Sequence, residues 1–315
     1  MVEKLINVDV VGRQDITPEL FLLHLTAESE KFENWLPGAH IDVQVGDGSL
    51  RQFSLVGSLE KPDSWILGIR SEVNGRGGSI WLNENARPGS KLKVSQPRNH
   101  FSFLPSDSPV IFIAGGIGVT PIYPMIVEAS KAGRNWELHY VASSKENMIL
   151  LQEIDDLAGN VFLYPRDTSN RPDIKSIIES TAGEVAVYCC GPESLLQSVE
   201  DASQGLDRVD LHVERFSPKP QNSDGGLDTF EVKFVYSDLT ANIKAGESIL
   251  EAARALGIEV TSSCKEGTCG SCETPIISGA PQHLDSVLSE KERSEGKCMM
   301  ICVSRSLTPV LELDL

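Results

Sequence analysis

The sequence predicts a multidomain chain: an antiparallel β-barrel, then a doubly wound parallel α/β sheet, then a small α+β domain. Three observations carry this. Short alternating apolar runs crowd the first hundred residues, as in small antiparallel barrels. Continuous apolar runs then alternate with helical stretches, as in a parallel sheet covered on both faces. Five of the seven cysteines lie between positions 264 and 302, three of them in one short loop. The length of 315 residues accommodates two or three domains at roughly 100–200 residues each.

In the first segment, strands are expected at Val8–Val11, Leu20–Leu25, His40–Val45, Gln52–Val56, Trp65–Ile69 and Lys91–Val94. Each is bounded by Gly, Pro, Asp or Asn, the residues that end strands in turns. Six short strands at this spacing predict a closed barrel.

In the second, Val110–Ala114 reads as a buried parallel strand, followed by a glycine turn and a helix over Pro121–Ala132. Strands at Trp136–Val141, Val161–Tyr164 and Val185–Cys190 alternate with helices at Leu150–Ala158, Ile174–Ser180 and Ser194–Ala202. Ser217 to Leu227 is polar and rich in Pro and Gly, the composition of a linker. The last segment offers strands at Phe230–Tyr236 and Ala241–Lys244. A helix over Ser248–Leu256 follows, stopped by Gly257. The boundaries drawn are 1–103, 104–217, a linker at 218–227, and 228–315.

Forty per cent apolar and 23% charged residues exclude wholesale disorder. The net charge of −17 argues against nucleic-acid and anionic-membrane partners, while leaving room for a protein with a basic patch. Pro109 to Val127 carries no charge over 19 residues, but its glycines and prolines suit a strand, a turn and a helix start better than a membrane span. No secretory signal is visible at Met1–Leu5, so a cytoplasmic setting is expected. There clustered cysteines serve as ligands or reactive thiols, not as a disulfide framework.

Cys264, Cys269 and Cys272 form C-x4-C-x2-C, and Cys302 stands thirty residues on. This is the spacing of a plant-type [2Fe–2S] site, where one loop supplies three thiolates and a distant residue the fourth. Gly267 and Gly270 let the backbone bend close to the sulfurs. The alternative is structural zinc, which more often draws on two separate C-x2-C pairs. Spacing alone leaves Cys298 a rival to Cys302. Cys189 and Cys190 end a strand and read first as small buried residues.

Gly115-Gly116-Ile117-Gly118-Val119-Thr120-Pro121 follows a buried strand and opens a helix, a setting in which a pyrophosphate can approach the backbone. Cys190-Gly191-Pro192 ends a second strand, and two such strand ends form a ligand crevice. Arg51, Phe53 and Ser54 share one short strand with Leu55. Gly77-Gly78-Ser79 precedes Ile80-Trp81-Leu82 as a second phosphate cradle. Taken singly, these read as a surface ion pair, a core ring and a plain turn.

In order and together they resemble the phthalate dioxygenase reductase family, which includes vanillate demethylase reductases and belongs to the ferredoxin–NADP reductase superfamily. The resemblance spans the chain. It rests on Arg51–Leu55, Gly75–Ser79, Pro97–Phe101, Gly115–Pro121, Cys190–Pro192, His212–Phe216, the cysteine loop and Ile301–Arg305. It implies a flavin barrel, a nucleotide-binding sheet and a plant-type ferredoxin (β-grasp) domain, with FMN, NADH and a [2Fe–2S] cluster as cofactors. Arg51, Gly77, Gly78 and Ser79 would hold the flavin phosphate. Phe53, Ser54, Leu55, Gly68, Ile69 and Arg70 would line the flavin, with Ser54 near N5. Thr120 and Phe216 would lie at the flavin edge or face, and Ser54, Thr120 and Phe216 form the expected catalytic set. Gly115, Gly116, Gly118, Pro121, Cys190, Gly191 and Pro192 would line the dinucleotide site. The family pattern selects Cys302 as fourth metal ligand.

Phe53 stands where many relatives carry Tyr, so a phenol hydroxyl is missing there. Ala142-Ser143-Ser144-Lys145 lacks an evident Arg for a 2′-phosphate, which favours NADH, with Lys145 and Arg166 keeping NADPH open. The implied function is a monomeric NADH-dependent reductase that hands electrons to the terminal oxygenase of a Rieske-type system. Residues 228–315 carry 14 acidic and 8 basic residues, which suggests an acidic docking face. The alternatives are an FAD-containing reductase of another hydroxylase or hybrid-cluster protein, and a non-catalytic zinc module.

Overall fold

The computed structural model describes residues 4–27, 32–61, 64–219 and 226–315. Met1–Glu3 and positions 220–225 of the expected linker lie outside the described residues. The chain forms two compact units. One is Leu5–Glu214; the other is Arg215–Leu315, with Lys4 assigned to it.

The first unit opens with β1 (Ile6–Thr17), β2 (Leu20–Ala27), β3 (His40–Gln44), β4 (Leu50–Ser54), β5 (Trp65–Arg70), helix α1 (Gly78–Asn85) and β6 (Lys91–Val94). The strands form one antiparallel sheet in the order β4-β3-β6-β1-β2-β5. It curls until Leu55, just past β4, pairs with Leu67 of β5. The expected closed barrel is therefore a curled sheet whose edges meet through one isolated bridge instead of a full ladder. Inward-facing residues such as Val8, Leu23, Ile41, Leu67 and Val94 are fully buried and fill it. β1 runs longer than its apolar stretch because it pairs with β2 along most of its length, which holds polar residues in extended backbone.

The same unit continues with β7 (Val110–Gly115), α2 (Val119–Lys131), β8 (Trp136–Ala142), α3 (Leu151–Asp155), β9 (Asn160–Pro165), α4 (Ile174–Ser180), β10 (Val185–Cys190), α5 (Glu193–Ser203) and β11 (Val209–Glu214). The sheet is parallel, in the order β11-β10-β7-β8-β9. Every residue of β7 and β10 is buried, as their unbroken apolar runs require. The uncharged run from Pro109 resolves into β7, a 3-10 turn at Gly116–Gly118 and the start of α2. Among the described residues no helix is long and apolar enough to cross a membrane.

Two details differ from expectation. Leu150 adopts a left-handed conformation (φ 63°), so α3 starts one residue later and stays short. β11 was not expected: its Val-Asp-Leu-His-Val-Glu alternation is polar on one side because it is an edge strand. Both sheets share one unit because Leu20, Leu22 and Val56 of the first join Phe101 and the α2 residues Ile122, Met125 and Ile126 in one core.

The second unit contains β12 (Phe230–Phe234), β13 (Leu239–Ile243), α6 (Ile249–Ala255), β14 (Glu273–Ser278), β15 (Pro281–Gln282), α7 (Glu290–Glu295), β16 (Cys298–Met300), β17 (Arg305–Ser306) and β18 (Val310–Leu313). A mixed five-stranded sheet, β13-β12-β18-β14-β16, carries α6. α6 begins with a capping box of Ser248 and Glu251 and ends before Gly257 (φ 82°). α7 has no apolar residue and no periodicity; its capping box at Ser289 and Glu292 and left-handed Gly296 define it.

Candidate functional site

Strand order reverses between β7 and β10: β8 and β9 lie to one side, β11 to the other. The carboxyl ends of these two strands therefore flank the crevice where doubly wound sheets bind ligands. Gly115 ends β7, and Gly191 follows Cys190 at the end of β10. A Cβ on Gly115 would stand 2.5 Å from Pro192 Cδ and 3.0 Å from Gly191 Cα. One on Gly118 would overlap the Cys190 carbonyl. These glycines let the two loops touch backbone to backbone. Gly116 differs: it needs a positive φ (55°), and only Arg70 Nη1 lies within 4 Å of its Cβ position. That is the open place where a pyrophosphate can approach main chain. Tyr140, missed from sequence, holds the turn. Its hydroxyl donates to Gly116 O (3.1 Å) and accepts from Ile149 N–H (3.1 Å), and burial pushes its pKa well up. Pro121 is buried in the first turn of α2, and Pro192 immediately precedes α5.

The curled sheet brings its own predicted residues to one region. Arg51 crosses Gly78 so closely that a Cβ there would overlap its side chain, and its Nη2 donates to Arg76 O (3.1 Å). Gly77 is left-handed (φ 78°) and precedes α1, whose N-terminus has no side-chain cap. A guanidinium beside uncapped helix N–H groups fits a phosphate. Ser79 Oγ accepts from Glu72 N–H (2.9 Å) and ties down the preceding loop. Ser54 is buried and Phe53 half-buried. Leu55 and Ile69 lie wholly in the sheet's core, so only their backbone is free to meet a ligand. Gly68 packs on α2: its Cβ would meet Thr120 Cγ2 at 2.5 Å. Thr120 is itself buried, its hydroxyl donating to Ile117 O (2.8 Å). Arg70 is exposed and pairs with Glu72 (3.4 Å).

At the crevice, β10 and β11 set Cys190 beside Glu214. The Cys190 thiol donates to Glu214 Oε2 at 3.9 Å. Burial pushes the Glu214 carboxyl up to about 8 and the Cys190 thiol above its ordinary range. Glu214 was passed over although it is the acidic member of the His212–Phe216 motif. A half-buried acid with a raised pKa at a ligand crevice is a functional signal, but its desolvation is not legible locally. Phe216 belongs to the second unit and is 46% exposed.

In the second unit, Cys264, Cys269, Cys272 and Cys302 are all buried. Their thiols are within hydrogen-bonding reach of one another: Cys264 with Cys269 and Cys302, and Cys272 with Cys302. The donated bonds pull Cys264 down and push Cys302 up. Lys265 (φ 57°), Gly267 (φ 69°) and Gly270 (φ 69°) turn the loop inward. Backbone N–H groups of Glu266 and Thr268 donate to Cys264 Sγ (3.3 and 3.5 Å), and that of Ser271 to Cys269 Sγ (3.4 Å). Cys298 sits apart at the start of β16, where burial and Glu273 push it up to about 11. Among the described residues no three His, Cys, Asp or Glu side chains gather as ligands for a single metal ion. The thiols instead run as a chain of contacts, Cys269 to Cys264 to Cys302 to Cys272. Two thiolates per iron with backbone N–H groups on the sulfurs is the donor set of a two-iron cluster.

Residues 235–307 match the family model of the 2Fe-2S iron-sulfur cluster binding domain. Over 280 residues the chain is 39% identical to the phenoxybenzoate dioxygenase subunit beta of Ectopseudomonas oleovorans, covering 88% of this chain and 87% of that one. The structure of phthalate dioxygenase reductase, described as modular for electron transfer from pyridine nucleotides to [2Fe–2S], superposes with TM-score 0.69. It is 30% identical, with 99% and 98% of the two chains covered. An intact type IV self-sufficient cytochrome P450 monooxygenase superposes with TM-score 0.91 at 34% identity. That match covers 99% of this chain but 41% of the longer one.

Proposed function

The chain belongs to the phthalate dioxygenase reductase family of oxygenase reductase components, and from that premise we propose that it carries electrons from NADH through FMN to its [2Fe–2S] cluster and on to the terminal oxygenase of a Rieske-type system. The observation that carries the reading is the pairing, on one chain, of a phosphate-compatible crevice with four convergent buried thiols, three from one loop and one from beyond β16.

When bound, the cofactors supply hydride transfer from nicotinamide to flavin and one-electron release through iron–sulfur. The chain's residues position and screen. Arg51 and the α1 N-terminus would hold the flavin phosphate, and Ser54 would present a hydroxyl near the hydride-accepting atom. Gly68 against Thr120 keeps the curled sheet in contact with the glycine turn, so both halves of the site stay in register. Gly116 opens the backbone to the dinucleotide, while the buried Cys190 and half-buried Glu214, both with raised pKa values, would add little negative charge to the crevice. The loop N–H groups on Cys264 and Cys269 would stabilise negative charge on the sulfurs.

FMN over FAD rests on the family, and NADH over NADPH on the absence of an Arg in Ala142–Lys145. Phe216 at the flavin is part of the same reading, as is the division into 1–103, 104–217 and 228–315, supported by three separate sheets of five or six strands. Free cysteines throughout suit a reducing cytoplasm. A monomer is proposed. A second reading keeps the chemistry and changes the acceptor: the match to a self-sufficient P450 favours a haem monooxygenase.

Anaerobic titration with NADH, followed in the visible spectrum with flavin and metal analysis, tests the proposal. Uptake of about three electrons per chain is expected, two at the flavin and one at the cluster. Uptake by the flavin alone would remove the cluster. The acidic surplus of residues 228–315 makes transfer to the oxygenase salt-dependent; a rate flat across a wide salt series would remove the charge-steered docking.

A further inference from the structure

The cysteine loop carries a hydroxyl donor as well as its backbone donors. Ser271 Oγ lies 2.9 Å from Cys269 Sγ, and Ser271 N–H reaches the same sulfur at 3.4 Å. Gly270, between the two residues, has a left-handed backbone (φ 69°), which turns both Ser271 groups back onto Cys269. Ser271 is half-buried and Cys269 buried, and the lowered dielectric there strengthens the bond.

The direction of this bond follows from a second one. Ser263 N–H donates to Ser271 Oγ (2.9 Å), so that oxygen already serves as an acceptor and its proton is directed away from Ser263. A sulfur bound to iron is a thiolate and has no proton to give. When the site is loaded, Ser271 is therefore the donor and Cys269 Sγ the acceptor. The backbone that supplies Ser263 is itself held: Arg254 of α6 donates through Nη2 to Val260 O (3.0 Å) and to Ser262 Oγ (2.6 Å). Thr268 also bonds Cys264 through its side chain, so hydroxyls reach two of the four thiols. Ser271 differs in that a backbone N–H fixes its rotor.

We propose that Ser271 is a positioning residue for Cys269: its hydroxyl, aimed by Ser263 N–H, donates to the ligand sulfur and sets the reduction potential of the cluster. The proposal rests on the electron-transfer reading above. Reduction adds one negative charge at the cluster, so a donor on a ligand sulfur holds the reduced form more tightly and favours uptake of the electron. Losing one charge-assisted bond of this kind should lower the reduction equilibrium about tenfold. For a one-electron couple that is a shift of about 59 mV to lower potential. A methyl group in place of the hydroxyl leaves the Ser271 N–H and the backbone of the loop in place.

The test uses the full-length loaded protein and the variants Ser271→Ala and Ser271→Thr. Potentiometric titration with dithionite and mediators, followed at the visible bands of the cluster, should put Ser271→Ala about tenfold, or about 59 mV, below the parent. Ser271→Thr keeps the hydroxyl and should stay within about twofold of the parent. Resonance Raman spectra in H2O and D2O should show a smaller isotope shift of the iron–thiolate stretch in Ser271→Ala than in the parent. Looser packing alone does not produce that signature. Ser271→Gly, which also lacks the hydroxyl, takes the place of Ser271→Ala should the latter load its cluster poorly. Equal potentials in the parent and Ser271→Ala overturn the proposal. A Ser271→Thr potential as low as that of Ser271→Ala also overturns it, because the loss then follows the change of side chain and not the hydroxyl. If NADH leaves the cluster of the parent oxidised, the electron-transfer reading fails, and the potentials, taken with dithionite, still decide the role of Ser271.

Discussion

Glu214→Gln should change how the stability of the first unit depends on pH. The carboxyl is half-buried beside Cys190, and desolvation raises it from its ordinary 4.5 to about 8. A carboxyl raised on folding contributes stability that is whole below its unfolded value and is lost as pH climbs through the folded one. Between pH 5 and 7 the unfolded chain has released this proton and the folded chain has kept it. Each pH unit then costs about 1.4 kcal/mol, so parental stability should fall by roughly 3 kcal/mol over that window from this group. Gln has the shape of the neutral acid, still accepts from the Cys190 thiol, and does not titrate. Cys190 stays protonated throughout, and His139, lowered by burial, is common to both proteins, so neither enters the difference. All four tryptophans (35, 65, 81 and 136) lie in this unit, so indole fluorescence during urea unfolding reports on it alone. The gap between variant and parent should widen by roughly 3 kcal/mol from pH 5 to 7. Parallel curves would show that the carboxyl is not held neutral and would refute the reasoning.

Cys302→Ser should abolish the visible spectrum of the cluster and its iron, whereas Cys298→Ser should keep both; loss of iron from the second would reverse the ligand assignment. Gly118→Ala forces a methyl into the Cys190 carbonyl, so it should lower thermal stability by about 1–3 kcal/mol and weaken nucleotide binding in calorimetry. Gly133→Ala, where nothing lies within 4 Å but φ is 65°, should strain the backbone and leave nucleotide affinity unchanged. Gly78→Ala displaces Arg51 and should raise the flavin dissociation constant at least about tenfold, the equivalent of one charge-assisted hydrogen bond, measured by fluorescence on rebinding to apoprotein.

Where a signal is local, the sequence carried it. The apolar runs of β7 and β10 could only be strands covered on both faces, and both are buried end to end. Gly257 after α6, and Gly267 and Gly270 in the cysteine loop, mark positive φ because side chains rarely tolerate it. Three cysteines in one loop declare a metal site through spacing alone. Contacts between distant segments leave no periodicity to read. Gly115, Gly118 and Gly191 looked like ligand contacts, yet it is the approach of β7 and β10 that makes two of them mutual packing partners and leaves Gly116 as the open position. Cys302 stands among the thiols and Cys298 beside Glu273 because β16 pairs with β14 before the chain turns inward. The raised pKa of Glu214 comes from its neighbours in the folded sheet. Local chemistry settled the main strands and helices of the first two segments and which residues can bind iron or phosphate; long-range packing settled edge and short strands such as β11 and β14 to β18 and which residues meet, since desolvation and steric fit exist only once the chain has closed on itself.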